Sequence, residues 1–153
     1  MPNCSQLMTH HPVFCLASDT VDRAAQLMRQ EDVGSLPVIE NHQSKKLLGI
    51  VTDRDIALKV VADARDARRT RVQEVMTRNP VTCHADNDLQ VALAAMAGHQ
   101  VRRIPVVDDE DQILGIISQS DIATRVSEPA RTAELVKEIS KSGRKSSAAG
   151  PLP

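Results

Sequence analysis

The chain has 153 residues, 41% of them apolar, and a formal net charge of -1. That suffices for one compact domain or two small ones sharing a core, and leaves no global charge to draw the chain to nucleic acid or an anionic membrane. Phe14 is the only aromatic residue among Phe, Trp and Tyr, so the core must be aliphatic and no ring platform exists for stacking exposed bases.

The N-terminal stretch carries His10, His11, Asp19 and Asp22 and no continuous apolar segment, so no export signal is read there. The longest apolar run, 91–97, is far too short to span a membrane. Cys4, Cys15 and Cys83 are odd in number and form no CxxC pair. That argues against a disulfide framework and for a reducing cytoplasm.

In chain order, the first signal is Met8-Thr9-x-x-Pro12-Val13-x-Cys15. Next come Val21, Ala24, Ala25 and Met28, at i, i+3, i+4 and i+7. They define one apolar helical face, and Asp19 or Thr20 can cap that helix. The runs 36–39 and 47–51 are short and apolar around a polar turn, as two buried strands of a hairpin would be. A helix is predicted to start at once, near Asp53. Residues 63–71 carry Arg65, Arg68, Arg69 and Arg71 and read as a solvated, charged connector, since no aromatic is interleaved.

The series then repeats. Met76-Thr77-x-x-Pro80-Val81-x-Cys83 follows the first motif at an offset of 68. Leu89, Ala92, Leu93 and Met96 form the second helical face, with Asp86 or Asp88 as its cap. Ile104-Pro105-Val106-Val107 matches Leu36-Pro37-Val38-Ile39. Leu114-Gly115-Ile116-Ile117-Ser118 matches Leu48-Gly49-Ile50-Val51-Thr52 at an offset of 66, the slip falling in a polar turn. A second closing helix is predicted from Gln119. Each copy thus reads β-α-β-β-α, in a mixed α/β (α+β) fold. We expect the copies to occupy 1–66 and 67–127. A short amphipathic C-terminal helix is expected over 128–140, with Leu135, Val136 and Ile139 apolar, and a disordered tail over 141–153.

These elements, duplicated in fixed order, resemble the cystathionine-beta-synthase (CBS) domain family. Thr52-Asp53-Arg54-Asp55 and Val101-Arg102-Arg103-Ile104-Pro105 are similar to small stand-alone two-domain members, including bacterial stress and hypoxia-response forms. The resemblance implies a pseudo-twofold pair of units packed through their sheets, with two clefts between them, and a homodimer of such pairs. It further implies a non-catalytic regulatory module that binds AMP, ADP or ATP, with S-adenosylmethionine or NAD as other family ligands. No cofactor is required, and a separate effector protein would receive the signal. Neither a membrane nor a nucleic-acid partner is expected here.

Thr52-x-x-Asp55 and Ser118-x-x-Asp121 each sit where an apolar strand meets a helix. The plain reading is a capping box. The same place offers free N–H groups, a hydroxyl and a carboxylate with two acceptor oxygens, which suit phosphate and ribose. The resemblance assigns Asp55 and Asp121 to ribose and Thr52 and Ser118 to the phosphate side. The two sets differ upstream: Gly34 and Ser35 in the first copy, Arg102 and Arg103 in the second. Guanidinium forks suit phosphate, whereas Gly34 and Ser35 would let an adenine approach the backbone. Arg54 and Lys59 read as solvated surface charges. Adenine would rest on aliphatic side chains and backbone of 13–16 and 81–84.

No Gly-rich phosphate loop, HExxH or nucleophile elbow is present, so no catalytic residue is expected. Two other readings compete. One is a ligand-free scaffold whose clefts are filled by apolar side chains. The other is a Cys/His metal or redox module, because Cys15 and Cys83 occupy matching positions and His10, His11 and His84 lie near them in sequence. Free cysteines in strands more often serve as small buried hydrophobes, so no metal ligand is assigned.

Overall fold

The computed structural model describes residues 2–125. In chain order these form α1 (Cys4–Leu7), β1 (Thr9–His10), β2 (Cys15–Leu16), α2 (Val21–Glu31), β3 (Ser35–Ile39), β4 (Leu47–Thr52) and α3 (Asp53–Ile56). α3 runs on through a wide π turn, Ala57–Val61, and a single 3-10 turn follows at Val72–Glu74. The second series is β5 (Thr77–Arg78), β6 (Cys83–His84), α4 (Leu89–His99), β7 (Arg103–Val107), β8 (Ile113–Ser118) and α5 (Gln119–Arg125). The helix expected at 128–140 and the tail at 141–153 lie outside the described residues. Among the described residues no helix is long and apolar enough to cross a membrane.

The chain divides into two compact units. One comprises Pro12–Pro80 with Asp109–Ile113; among the described residues the other comprises 2–11, Val81–Asp108 and 114–125. In the first, the sheet order is β2-β3-β4-β5. β2 lies parallel to β3, and β3-β4 and β4-β5 are antiparallel. In the second, the order is β1-β8-β7-β6, with β6 parallel to β7 and β1 antiparallel to β8. The short strand opening each repeat therefore serves as an edge strand for the other repeat's hairpin. β5 places Thr77 opposite Ile50 and Arg78 opposite Gly49. β1 places Thr9 opposite Ile116 and His10 opposite Gly115.

Those two glycines explain why the exchange fits. A Cβ at Gly49 would stand 2.5 Å from the Thr77 carbonyl oxygen and 3.0 Å from Met76 Sδ. At Gly115 it would meet Met8 Sδ at 2.5 Å and the Thr9 carbonyl oxygen at 2.7 Å. Neither glycine has a positive φ, so close approach, not backbone freedom, requires them. Met8 and Met76 are themselves buried, each over the glycine of the opposite repeat. Their unbranched thioethers adapt to the narrow space.

Both cores are aliphatic. Cys15, Val21, Ala24, Met28, Leu36, Val38, Val51, Val60, Val72, Val75 and Met76 join in one. Leu7, Met8, Cys83, Leu89, Leu93, Met96, Ile104, Val106, Ile117 and Ile122 join in the other. The face of α4 is buried at all four expected positions. On α2 the expected face is narrower. Val21, Ala24 and Met28 are buried, but Ala25 is exposed. Leu27 instead packs against that core as a partly buried neighbour.

The caps divide differently from their sequence. Asp88 caps α4, its carboxylate accepting from Gln90 N–H at 3.0 Å. Thr20 occupies the equivalent place before α2 but makes no cap bond; its hydroxyl donates to Asp22 instead. Asp19 and Asn87 each accept from a strand N–H, Leu16 at 2.9 Å and His84 at 2.8 Å, and so close matching turns. The four arginines of the connector are exposed, as a solvated connector expects, and two of them are also tethered. Arg65 pairs with Glu74 at 2.5 Å, and Arg71 donates to the Ser18 carbonyl oxygen at 2.9 Å. The Arg71 N–H and the Arg65 guanidinium hold the Glu74 carboxyl below its ordinary pKa.

Candidate functional site

Both Thr/Ser-x-x-Asp motifs form complete capping boxes. In the first, Asp55 N–H donates to Thr52 Oγ1 and Thr52 N–H donates to Asp55 Oδ2, each at 3.0 Å. In the second, Asp121 N–H donates to Ser118 Oγ at 3.2 Å and Ser118 N–H to Asp121 Oδ2 at 3.3 Å. The sequence produces this because an extended strand ends on a hydroxyl residue whose oxygen can turn back on the third helical N–H. The carbonyl oxygen two residues before each Leu-Pro or Ile-Pro braces the same point. Gly34 O accepts from Asp53 N–H, and Arg102 O from Gln119 N–H, both at 2.9 Å. Thus Gly34, Ser35, Thr52 and Asp55 converge in one unit, and Arg102, Arg103, Ser118 and Asp121 in the other.

The boxes use only part of each carboxylate. Asp55 Oδ1 is taken by Lys59 Nζ, an i,i+4 ion pair at 3.2 Å. Lys59 also donates to the Val75 carbonyl oxygen at 2.9 Å. Lys59 is exposed, as its reading as a solvated surface charge expects, and it is paired as well. Asp121 Oδ1 accepts no hydrogen bond among the described residues. Ser118 Oγ also shares a 2.9 Å hydrogen bond with Ser120 Oγ. Arg102 and Arg103 are both exposed at the mouth of β7, so the second set combines two guanidiniums, two hydroxyls and a carboxylate oxygen open to a new donor.

At Gly34 an added Cβ would meet Asp53 Oδ2 at 3.0 Å. The Asp53 carboxylate thus lies over the glycine, and Arg54 N–H donates to its Oδ1 at 2.8 Å. A ligand approaching Gly34 meets that acidic group first. This distinguishes the first set from the second, where the matching positions are Arg102 and Gln119.

Cys15 and Cys83 are each buried in the cores of separate units. Burial pushes the Cys15 thiol up to about 12, helped by the nearby Asp19 charge. Among the described residues no group of three or more His, Cys, Asp or Glu side chains is placed to hold a metal ion.

The sequence profile of the CBS domain matches residues 4–62 and 72–128. The chain is 38% identical over 123 residues to CBS domain-containing protein YhcV of Bacillus subtilis, covering 80% of this chain and 84% of that one. It is 36% identical over 128 residues to Hypoxic response protein 1 of Mycobacterium tuberculosis, covering 83% and 87%. A crystal structure of Hypoxic Response Protein I with two coordinated zinc ions superposes with a TM-score of 0.74 at 30% identity, covering 82% of this chain and 99% of that one. The CBS domain pair of MJ0100, solved with 5'-methylthioadenosine and S-adenosyl-L-methionine, does so with a TM-score of 0.71 at 27% identity, covering 81% and 94%. The duplicated strand-helix-hairpin-helix series, with its exchanged edge strands and paired capping boxes, belongs to the CBS domain family as a tandem pair.

Proposed function

We propose that this chain is a regulatory module that binds an adenine nucleotide of the AMP, ADP or ATP class and performs no chemistry on it. The observation that carries this reading is Asp121. Its carboxylate is fixed by one oxygen in the capping box while the other accepts nothing among the described residues. A fixed carboxylate with a spare acceptor suits a ribose diol. Ser118, Arg102 and Arg103 supply the phosphate side, with backbone of 81–84 and aliphatic contacts for the base. The adenosine moiety shared by both ligands named for the MJ0100 pair supports that class. S-adenosylmethionine and NAD contain the same moiety and compete as ligands.

In the first repeat Thr52, Asp55, Gly34 and Ser35 form the corresponding but weaker set. There a ribose must displace Lys59 from Asp55, and phosphate must approach the Asp53 carboxylate. Nucleotide binding would reach an effector protein through a change in the shape of a homodimer, to which the exposed Leu58 and Val61 offer apolar contact. Cytoplasmic residence fits the buried free thiols.

A thermal-shift panel of AMP, ADP, ATP, NAD and S-adenosylmethionine at constant protein concentration tests this. A ligand at about 100 times its Kd adds about 2.7 kcal/mol to the folded state. At least one mononucleotide should raise Tm in a saturable way. If none of the five does so for folded protein, the ligand-free scaffold replaces this reading.

A further inference from the structure

Cys4 and Cys83 are brought together by the exchanged N-terminal arm. Their Sγ atoms lie 3.6 Å apart, in the geometry of a thiol-to-sulfur hydrogen bond from Cys83 to Cys4. Cys4 is 0% exposed and Cys83 2%. The arm is laid down by backbone bonds. Cys4 N–H donates to Asn87 O and Ser5 N–H to Ala85 O, both at 2.9 Å, and Leu89 N–H donates to Pro2 O at 3.1 Å. Asn3 bridges Asp88, and Asn3 and Gln6 form a capping box on α1. The register that delivers Cys4 to Cys83 is therefore specified by several bonds.

We propose that Cys4 and Cys83 form a reversible disulfide that fastens the N-terminal arm to β6. The sulfurs must close from 3.6 Å to about 2.0 Å. Cys83 sits in a paired strand, whereas Cys4 opens a four-residue helix that supplies the movement. The oxidant is a low-molecular-weight disulfide such as oxidised glutathione. The Cys4 thiolate attacks it, forming a mixed disulfide and expelling one glutathione thiolate. Cys83 then loses its proton to solvent and attacks Cys4 Sγ, expelling the second. Two protein thiols are oxidised and one small disulfide is reduced to two thiols. Cys4 lies on the arm itself, so opening of the arm carries that sulfur to the oxidant. Access comes from transient opening of the arm, since both sulfurs are covered when it is docked.

Once formed, the bond closes a loop of about 80 residues through the whole first repeat, a length at which cross-linking strongly limits the unfolded chain. It would also lock β1 into the edge of the second unit's sheet. Cys15 is the internal control. It lies in the other unit, has no sulfur partner among the described residues, and its thiol is held near 12.

The full chain, incubated with oxidised glutathione, acid-quenched and alkylated, should give a non-reducing peptide map that links Cys4 to Cys83 within one chain. Cys15 should stay alkylatable after unfolding. Tm should rise by at least about 5 °C and return on reduction. Cys4→Ser should abolish both the link and the rise, while Cys15→Ser should keep both. Should Cys4→Ser fail to fold, the wild-type map and Cys15→Ser still decide. Free thiols at both positions, a persistent glutathione adduct without the link, or a bridge between chains would overturn the proposal.

Discussion

Gly49→Ala is expected to lower the stability of the chain by about 3 kcal/mol, the upper range for overpacking a filled site. The new methyl would stand 2.5 Å from the Thr77 carbonyl oxygen, a backbone atom of the paired strand that cannot turn away. β5 would have to part from β4, withdrawing Met76 from the first unit's core. Gly115→Ala should act alike through Thr9 and Met8, although Met8 is a flexible side chain and yields part of the way. Gly98→Ala is the contrast. It lies in α4 with nothing within 4 Å of its Cβ position, and should stabilise by about 0.5–1 kcal/mol through helix propensity. Urea unfolding at one protein concentration reads all three. A neutral Gly49→Ala would mean that the exchanged strand contributes nothing to the fold.

Asp121→Ala should weaken adenine-nucleotide binding by about tenfold to a hundredfold, the worth of hydrogen bonds to a charged acceptor. The same change removes one arm of the capping box, with a stability cost of about 1 kcal/mol. Asp121→Asn separates the two effects. Its amide oxygen can still accept from Ser118 N–H, while the other position becomes a donor that cannot serve a ribose hydroxyl as acceptor. Stability should return and affinity should not. If calorimetry gives Asp121→Asn the wild-type Kd, the carboxylate is a helix cap and nothing more.

The repeat made much of this fold readable. The i, i+3, i+4, i+7 faces of α2 and α4, both hairpins and both Thr/Ser-x-x-Asp boxes follow from local periodicity and local hydrogen bonding. The features that escaped involve residues distant in sequence. Pairing β1 with β8 joins positions more than a hundred residues apart, and a two-residue strand has no periodicity to announce it. Gly49 and Gly115 looked like ordinary strand residues because what crowds them arrives from the other repeat. Cys83 matches Cys15 in the repeat, but the sulfur beside it is that of Cys4, 79 residues away in sequence. Ala25 and Thr20 failed on finer grounds. An alanine on a helical face has too small a side chain to reveal its burial, and a threonine before a helix can satisfy its hydroxyl on a neighbouring carboxylate. Lys59 could have been found, since an acid four residues before a lysine on one helix is a readable pair.

On the proposed reading, a carboxylate held in a capping box doubles as a ribose acceptor. Calorimetric titration of the purified, folded protein with AMP tests it most directly. A saturable isotherm that is weakened by Asp121→Asn and less affected by Asp55→Asn, where Lys59 already occupies the second oxygen, is the result predicted. The absence of any heat or saturation with AMP, ADP or ATP from folded protein would contradict it.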